Sequence, residues 1–202
     1  MRHLYINSNQ SEAITLLLLH GTGGTERDLL PLADIIAPDT NVLAVRGNVL
    51  ENGMPRFFKR LAEGVFDEVD LIQRTKDLND FLDDAAEEYN FNREKIVAIG
   101  YSNGANIAAS LLFHFRDALS GAVLLHPMVP RRGIDLPDLS DKNILITAGK
   151  YDPLCPARES EDLCKLLRGA SANVELFWTE GGHELAHSEI AKAKTWFVTN
   201  YN

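Results

Sequence analysis

Only two cysteines, Cys155 and Cys164, occur in 202 residues, and they form no Cys-x-x-Cys pair. That excludes a disulfide framework and points to two reduced thiols. Long apolar runs are missing too: a stretch such as Leu16–Leu19 is far too short to cross a bilayer. The N-terminus, Met1-Arg2-His3-Leu4-Tyr5-Ile6-Asn7-Ser8, lacks the apolar run of a signal peptide. A cytoplasmic chain without a membrane span is therefore expected. Positive charge is also scarce: 20 Lys and Arg stand against 29 Asp and Glu, a net charge of −9. An acidic surface repels nucleic acid and anionic membranes, so neither is expected as a partner. No internal repeat, low-complexity tract or linker breaks the chain. What is present is 45% hydrophobic and 24% charged residues, the balance of one globular domain spanning residues 1–202.

Apolar runs and helical patterns alternate along the chain. Leu4-Tyr5-Ile6 reads as a short edge strand, and Ile14 to Leu19 as a strand buried on both faces. A helix is expected to start at Thr25-Glu26-Arg27-Asp28 with Leu29, Leu32, Ile35 and Ile36 inward, and to stop near Pro38. Asn41–Val45 is the next strand. Arg46 to Phe66 has no clear periodicity and reads as a long loop or lid. Asp67 is expected to cap a long helix reaching Tyr89. Further strands are expected at Ile96–Ile99, Gly121–Leu125, Ile144–Ala148 and Val174–Trp178. Helices are expected at Ala157–Leu167, opened by Pro156, and at Glu184–Val198. Strand–helix alternation of this kind predicts an α/β fold, a mostly parallel sheet with helices on both faces.

The sharpest motif is Gly100-Tyr101-Ser102-Asn103-Gly104, running from a predicted strand into a predicted helix. A strand–turn–helix of this type lifts its serine hydroxyl clear of the sheet, beside free helix N–H groups. In parallel α/β sheets ligands bind beyond the carboxyl ends of the strands. The residues that follow each strand are therefore grouped: His20 to Gly24, Arg46, Ser102, His126, Gly149 to Asp152, and Gly181 to His183.

A serine hydroxyl needs a base, and the base needs an acceptor that fixes its tautomer. His183 and Asp152 follow later strands and supply both, in the chain order Ser, Asp, His. Asp152 precedes Pro153 and would equally suit a turn cap. His187 reads as a surface residue, His20 as an organiser of the glycine loop, and His126 as a pocket-lining residue at a strand end. Asp135, Asp138 and Asp141 fall before the relevant strand. The oxyanion donors are expected to be the backbone N–H groups of Asn103 and Thr22, the latter from His20-Gly21-Thr22-Gly23-Gly24. No metal and no cofactor are expected.

Leu18-Leu19-His20-Gly21-Thr22-Gly23-Gly24, Gly100-Tyr101-Ser102-Asn103-Gly104-Ala105-Asn106, Ala148-Gly149-Lys150-Tyr151-Asp152-Pro153 and Gly181-Gly182-His183-Glu184 resemble the phospholipase/carboxylesterase family of serine hydrolases. The resemblance runs from about Leu16 to Phe197. It is strongest to the small bacterial branch, within the α/β-hydrolase superfamily that also holds acyl-protein thioesterase-like enzymes. It implies an α/β-hydrolase fold and carboxylic-ester hydrolysis through Ser102, Asp152 and His183, with a small-molecule ester as partner and a homodimer among the assemblies the family forms. Thr22-Gly23 and the Arg46–Phe66 stretch depart from the eukaryotic thioesterase pattern. Dienelactone hydrolases share the fold but use cysteine where this chain has Ser102.

His126 to Asn143 holds Pro127, Pro130 and Pro137, too little chain for a helical lid, so no large cap domain is expected. Met54, Phe57, Phe58 and Met128 are expected to wall the substrate pocket. Arg56, Lys59 and Arg60 suit an anionic or polar substrate edge. A pocket of that size suits short-acyl esters. The alternatives are a thioesterase or lysophospholipase acting on longer chains, and a non-catalytic small-molecule binder on the same fold.

Overall fold

The computed structural model describes residues 1–10 and 12–201. Its centre is a seven-stranded sheet built from β1 (His3–Ile6), β2 (Thr15–Leu19), β3 (Asn41–Val45), β8 (Ile96–Tyr101), β9 (Gly121–Leu125), β10 (Asn143–Gly149) and β11 (Asn173–Thr179). The strand order is β1-β3-β2-β8-β9-β10-β11, with β1 antiparallel at the edge and the others parallel. Two short hairpins, β4 (Val49–Glu51) with β5 (Met54–Arg56) and β6 (Arg60–Ala62) with β7 (Val65–Phe66), stand apart from it.

Alternate strand residues feed two cores. Leu17, Leu19, Ile96 and Ala98 face α2 (Glu68–Tyr89), α3 (Asn103–His114) and α4 (Ala157–Gly169). Leu16, Leu18, Val97 and Ile99 face α1 (Leu30–Ile36) and α5 (His187–Tyr201). Burial on both sides is why the central strands read as unbroken apolar runs. The fold is that of the α/β-hydrolases. No helix lies between β9 and β10, so no large cap covers the carboxyl edge of the sheet. No helix among the described residues is long and apolar enough to cross a membrane.

Three expectations are corrected. Helix α1 starts at Leu30, because Thr25 and Asp28 bond each other at 2.6 Å in a turn and Pro31 sits in the first helical turn. Leu29, Leu32 and Ile36 pack into the core as expected, whereas Ile35 is 46% exposed and Ala33 is buried in its place. Helix α5 starts at His187, where the Glu189 carboxylate reaches back to the Ala186 N–H at 2.7 Å, half of a capping box. The Arg46–Phe66 stretch is ordered into the two hairpins. Asn52 and Gly53, at φ +52° and +79°, make the first turn, the signature of a two-residue hairpin loop.

Candidate active site

The Ser102 backbone stands at φ 51°, ψ −112°, a strained setting for a residue with a Cβ. It is held because strand and helix meet closely: a Cβ on Gly104 would lie 1.9 Å from the Leu19 carbonyl oxygen, and one on Gly100 2.6 Å from that of Gly104. The Ser102 hydroxyl lies 2.9 Å from His183 Nε2, and His183 Nδ1 lies 2.7 Å from Asp152 Oδ2. A carboxylate only accepts, so Nδ1 carries the proton and Nε2 is left to accept from Ser102. Asp152 Oδ1 accepts the N–H groups of Leu154 at 2.8 Å and Cys155 at 2.9 Å. Burial alone would raise the Asp152 pKa; these N–H groups with His183 and His126 outweigh it and hold the carboxyl below its ordinary value. Asp152 thus stays ionised in a nearly dry site.

Tyr101, on the residue before the serine, donates its hydroxyl to the His183 carbonyl at 2.8 Å and packs its ring 5.4 Å from the imidazole. Its phenol is pushed up to about 12, by burial first and then by Asp152, so it remains a donor. Nothing in the sequence pattern singles it out except its place inside the elbow.

The N–H groups of Thr22 and Asn103 have no partner among the described residues, and both residues line the cavity at Ser102. Hairpin β4–β5 braces them. Arg56 Nη1 donates to Thr22 Oγ1 at 2.7 Å, Gly23 N–H donates to the Pro55 carbonyl at 2.9 Å, and Phe57 N–H donates to Asn103 Oδ1 at 2.7 Å. His20 organises the same loop through the Gly21 carbonyl at 2.6 Å and the Gly47 N–H at 3.0 Å. Arg46 is committed to buried Glu26.

The cavity holds about 330 Å³. Its walls include Arg56, Arg60, Gly64, Phe66, Met128 and Leu154. Of the four expected wall residues only Met128 lines it. Phe57 and Phe58 are 3% and 0% exposed and belong to the core, and Met54 stands 40% exposed beside Gly23. The hairpin turns its aromatic side chains into the fold and its arginine into the cavity, a choice that composition could not reveal. Asn106, one helical turn after Ser102, also lines the cavity and takes the Met128 N–H at 2.7 Å.

His126 does not line the cavity; it is fully buried behind Asp152. Asp135 and Asp138 are exposed, and Asp141 pairs with Arg116 and Lys142. Cys155 lines the cavity, and burial pushes its thiol up to about 12. His183-Glu184-Leu185-Ala186-His187 spells the His-Glu-x-x-His pattern of helical zinc sites. That pattern needs both histidines on one helix face. Here α5 begins only at His187, which is exposed, and both nitrogens of His183 are already engaged.

Fold and site define an α/β-hydrolase with a serine at the strand–helix elbow. The chain belongs to the dienelactone hydrolase family, whose model matches residues 51–195. A serine where dienelactone hydrolases are expected to carry cysteine does not set the chain outside that family, since the match extends over most of the fold. MhqD of Bacillus subtilis (strain 168), whose name describes it as a hydrolase, is 57% identical over 98% of both chains. The carboxylesterase of Bacillus cereus is 60% identical, with a TM-score of 0.98 over 100% of this chain and 95% of that one. The Mesorhizobium loti carboxylesterase is 28% identical, with a TM-score of 0.91 over 97% and 93%. The chain is an enzyme of the hydrolase class.

Proposed function

We propose that the protein is a serine carboxylesterase that cleaves small or short-acyl esters through an acyl-enzyme, close to the phospholipase/carboxylesterase group that its motifs resemble. The observation that carries this reading is the unbroken line from Ser102 through His183 to Asp152 at the floor of a cavity of about 330 Å³. His183 takes the hydroxyl proton as Ser102 attacks the ester carbonyl. Asp152 holds the ring in its Nδ1–H tautomer and steadies the imidazolium. The N–H groups of Thr22 and Asn103 bind the oxyanion, aided by the helix N-terminus at Asn103. His183 then protonates the leaving alcohol, and a water repeats the cycle on the acyl-enzyme.

Cavity volume favours a short acyl group, since it lies at the small end of ligand sites. Wall charge favours a neutral ester. Arg56 and Arg60 share the Glu51 carboxylate at 3.2 and 2.8 Å, and Glu63 adds a further negative charge to the wall. Two buried thiols are compatible with work in the reducing cytoplasm.

A p-nitrophenyl ester series of graded acyl length, with fluorophosphonate labelling of the same preparation, tests the reading. The expected result is one labelled serine, lost in Ser102→Ala, and kcat/KM peaking between acetyl and hexanoyl. A steady rise to palmitoyl favours the longer-chain thioesterase or lysophospholipase reading. Absence of labelling favours a binder.

A further inference from the structure

His126 is buried chemistry that the hydrolytic steps leave unused. It follows β9 with φ +52°, a left-handed setting that is strained for a residue with a Cβ. Its side chain is 0% exposed, and so is that of Glu189 on α5. Nδ1 donates to Asp152 Oδ2 at 2.9 Å, the same oxygen that His183 holds at 2.7 Å. Nε2 lies 3.0 Å from Glu189 Oε1, an ion-pair distance off the hydrogen-bond axis. Glu189 is pinned in turn: Thr147 Oγ1 donates to Oε1 at 2.6 Å and the Ala186 N–H to Oε2 at 2.7 Å. The groups facing His126 are Asp152 and Cys155 from the loop after β10, Glu189 from α5, His183 from the loop after β11, and Tyr101 from the end of β8.

A cation against Asp152 by itself would cancel the charge that steadies His183, whose ring centroid is only 5.3 Å from that of His126. Glu189 removes this difficulty. Asp152, a protonated His126 and Glu189 sum to one negative charge, the charge of a lone Asp152, while Asp152 gains a second rigid donor.

We propose that His126 is a positioning residue: a standing imidazolium that locks Asp152 Oδ2 toward His183, with Glu189 as the buried counter-ion that keeps one net negative charge behind the base. Burial alone would lower the His126 pKa, and Glu189 with Asp152 outweighs it and holds it above the ordinary imidazole value. Burial would raise Glu189, and His126, Thr147 and the Ala186 N–H hold it below its ordinary value instead. The proposal rests on the esterase reading, in which His183 is the base.

The test is the acid limb of kcat/KM on a short ester, measured for wild type, His126→Asn and Glu189→Gln. Asparagine keeps a donor for Asp152 but removes the cation, so the limb midpoint moves up by about one pH unit. Glutamine removes the anion, so the midpoint moves down by a similar amount. A merely structural role lowers kcat in both variants without opposite displacements. Midpoints that stay put, or move the same way, overturn the proposal. Independently of any variant, imidazole ¹⁵N NMR of the wild type is expected to show one of the six histidine rings doubly protonated at pH 8. Six neutral rings overturn the proposal as well. A wild type with no acid limb at all refutes His183 as base, and the NMR signature then decides the state of His126 separately.

Discussion

At the scale of single residues, Ser102 and His126 are held in left-handed backbone, at φ 51° and 52°. Each lies just past the carboxyl end of a neighbouring central strand, and each delivers its side chain to the line that ends at Asp152. The roles along that line are unequal. In the proposed mechanism, removing the Ser102 hydroxyl removes the atom that forms the acyl-enzyme, whereas changing Asp152 leaves the nucleophile and disturbs only the tautomer behind it. Ser102→Ala is therefore expected to lower kcat by about 10⁵–10⁶, and Asp152→Asn by about 10⁴, with circular dichroism unchanged. Single-turnover kinetics on a p-nitrophenyl ester gives the comparison. A Ser102→Ala enzyme with a tenth of wild-type activity, or Asp138→Asn more damaging than Asp152→Asn, would refute these assignments.

At the scale of elements, hairpin β4–β5 is the brace of the proposed oxyanion donors. It reaches the Thr22 loop through Arg56 and Pro55, and Asn103 through the Phe57 N–H. Its aromatic neighbours serve the core: Phe58 is fully buried, edge-on to Phe66 at 5.0 Å, with the Arg56 guanidinium 5.9 Å from its centroid. Phe58→Ala is thus expected to cost about 3–5 kcal/mol of stability, read from the urea midpoint, while KM of the folded enzyme stays near wild type. Unchanged stability with a raised KM would return Phe58 to the substrate wall.

At the scale of the whole molecule, the sheet brings together groups from β9, β10 and α5 whose titration is tied to folding. Asp152 and Glu189 are depressed from 3.8 and 4.5, so their contribution is present above those values and lost as pH falls through the lower, folded ones. His126 is raised from 6.5, so its contribution is full below that value and lost as pH rises through the higher, folded one. Urea midpoints are expected to be highest between 4.5 and 6.5, the two unfolded values that bound the window. A midpoint that keeps rising through pH 8 would contradict the assignment to His126.

The strands, the elbow and the Ser–Asp–His order were legible in the sequence because they depend on local properties. Double-sided burial demands unbroken apolar runs such as Leu16–Leu19, and the Ser102 turn demands glycine at 100 and 104, where a Cβ would meet backbone. Asp67 was likewise readable as a cap, and its side chain takes the Asp70 N–H at 3.1 Å. The ends of α1 and α5 were misread because their starts turn on particular contacts, Thr25 with Asp28 and Glu189 with the Ala186 N–H. The direction of a side chain on a short hairpin is not written in its composition, so Phe57 and Phe58 look like pocket and are core, while of the three cations expected at a substrate edge Arg56 and Arg60 line the cavity and Lys59 does not. Tyr101, Asn106 and Glu189 were invisible as site residues, and His126 was placed on the wrong side of Asp152. His126 and Glu189 lie far apart in the chain and meet only because β9 lies beside β10 in the sheet and α5 packs across β10. A single sequence carries local propensity and spacing; the partner of a buried charge is decided by packing.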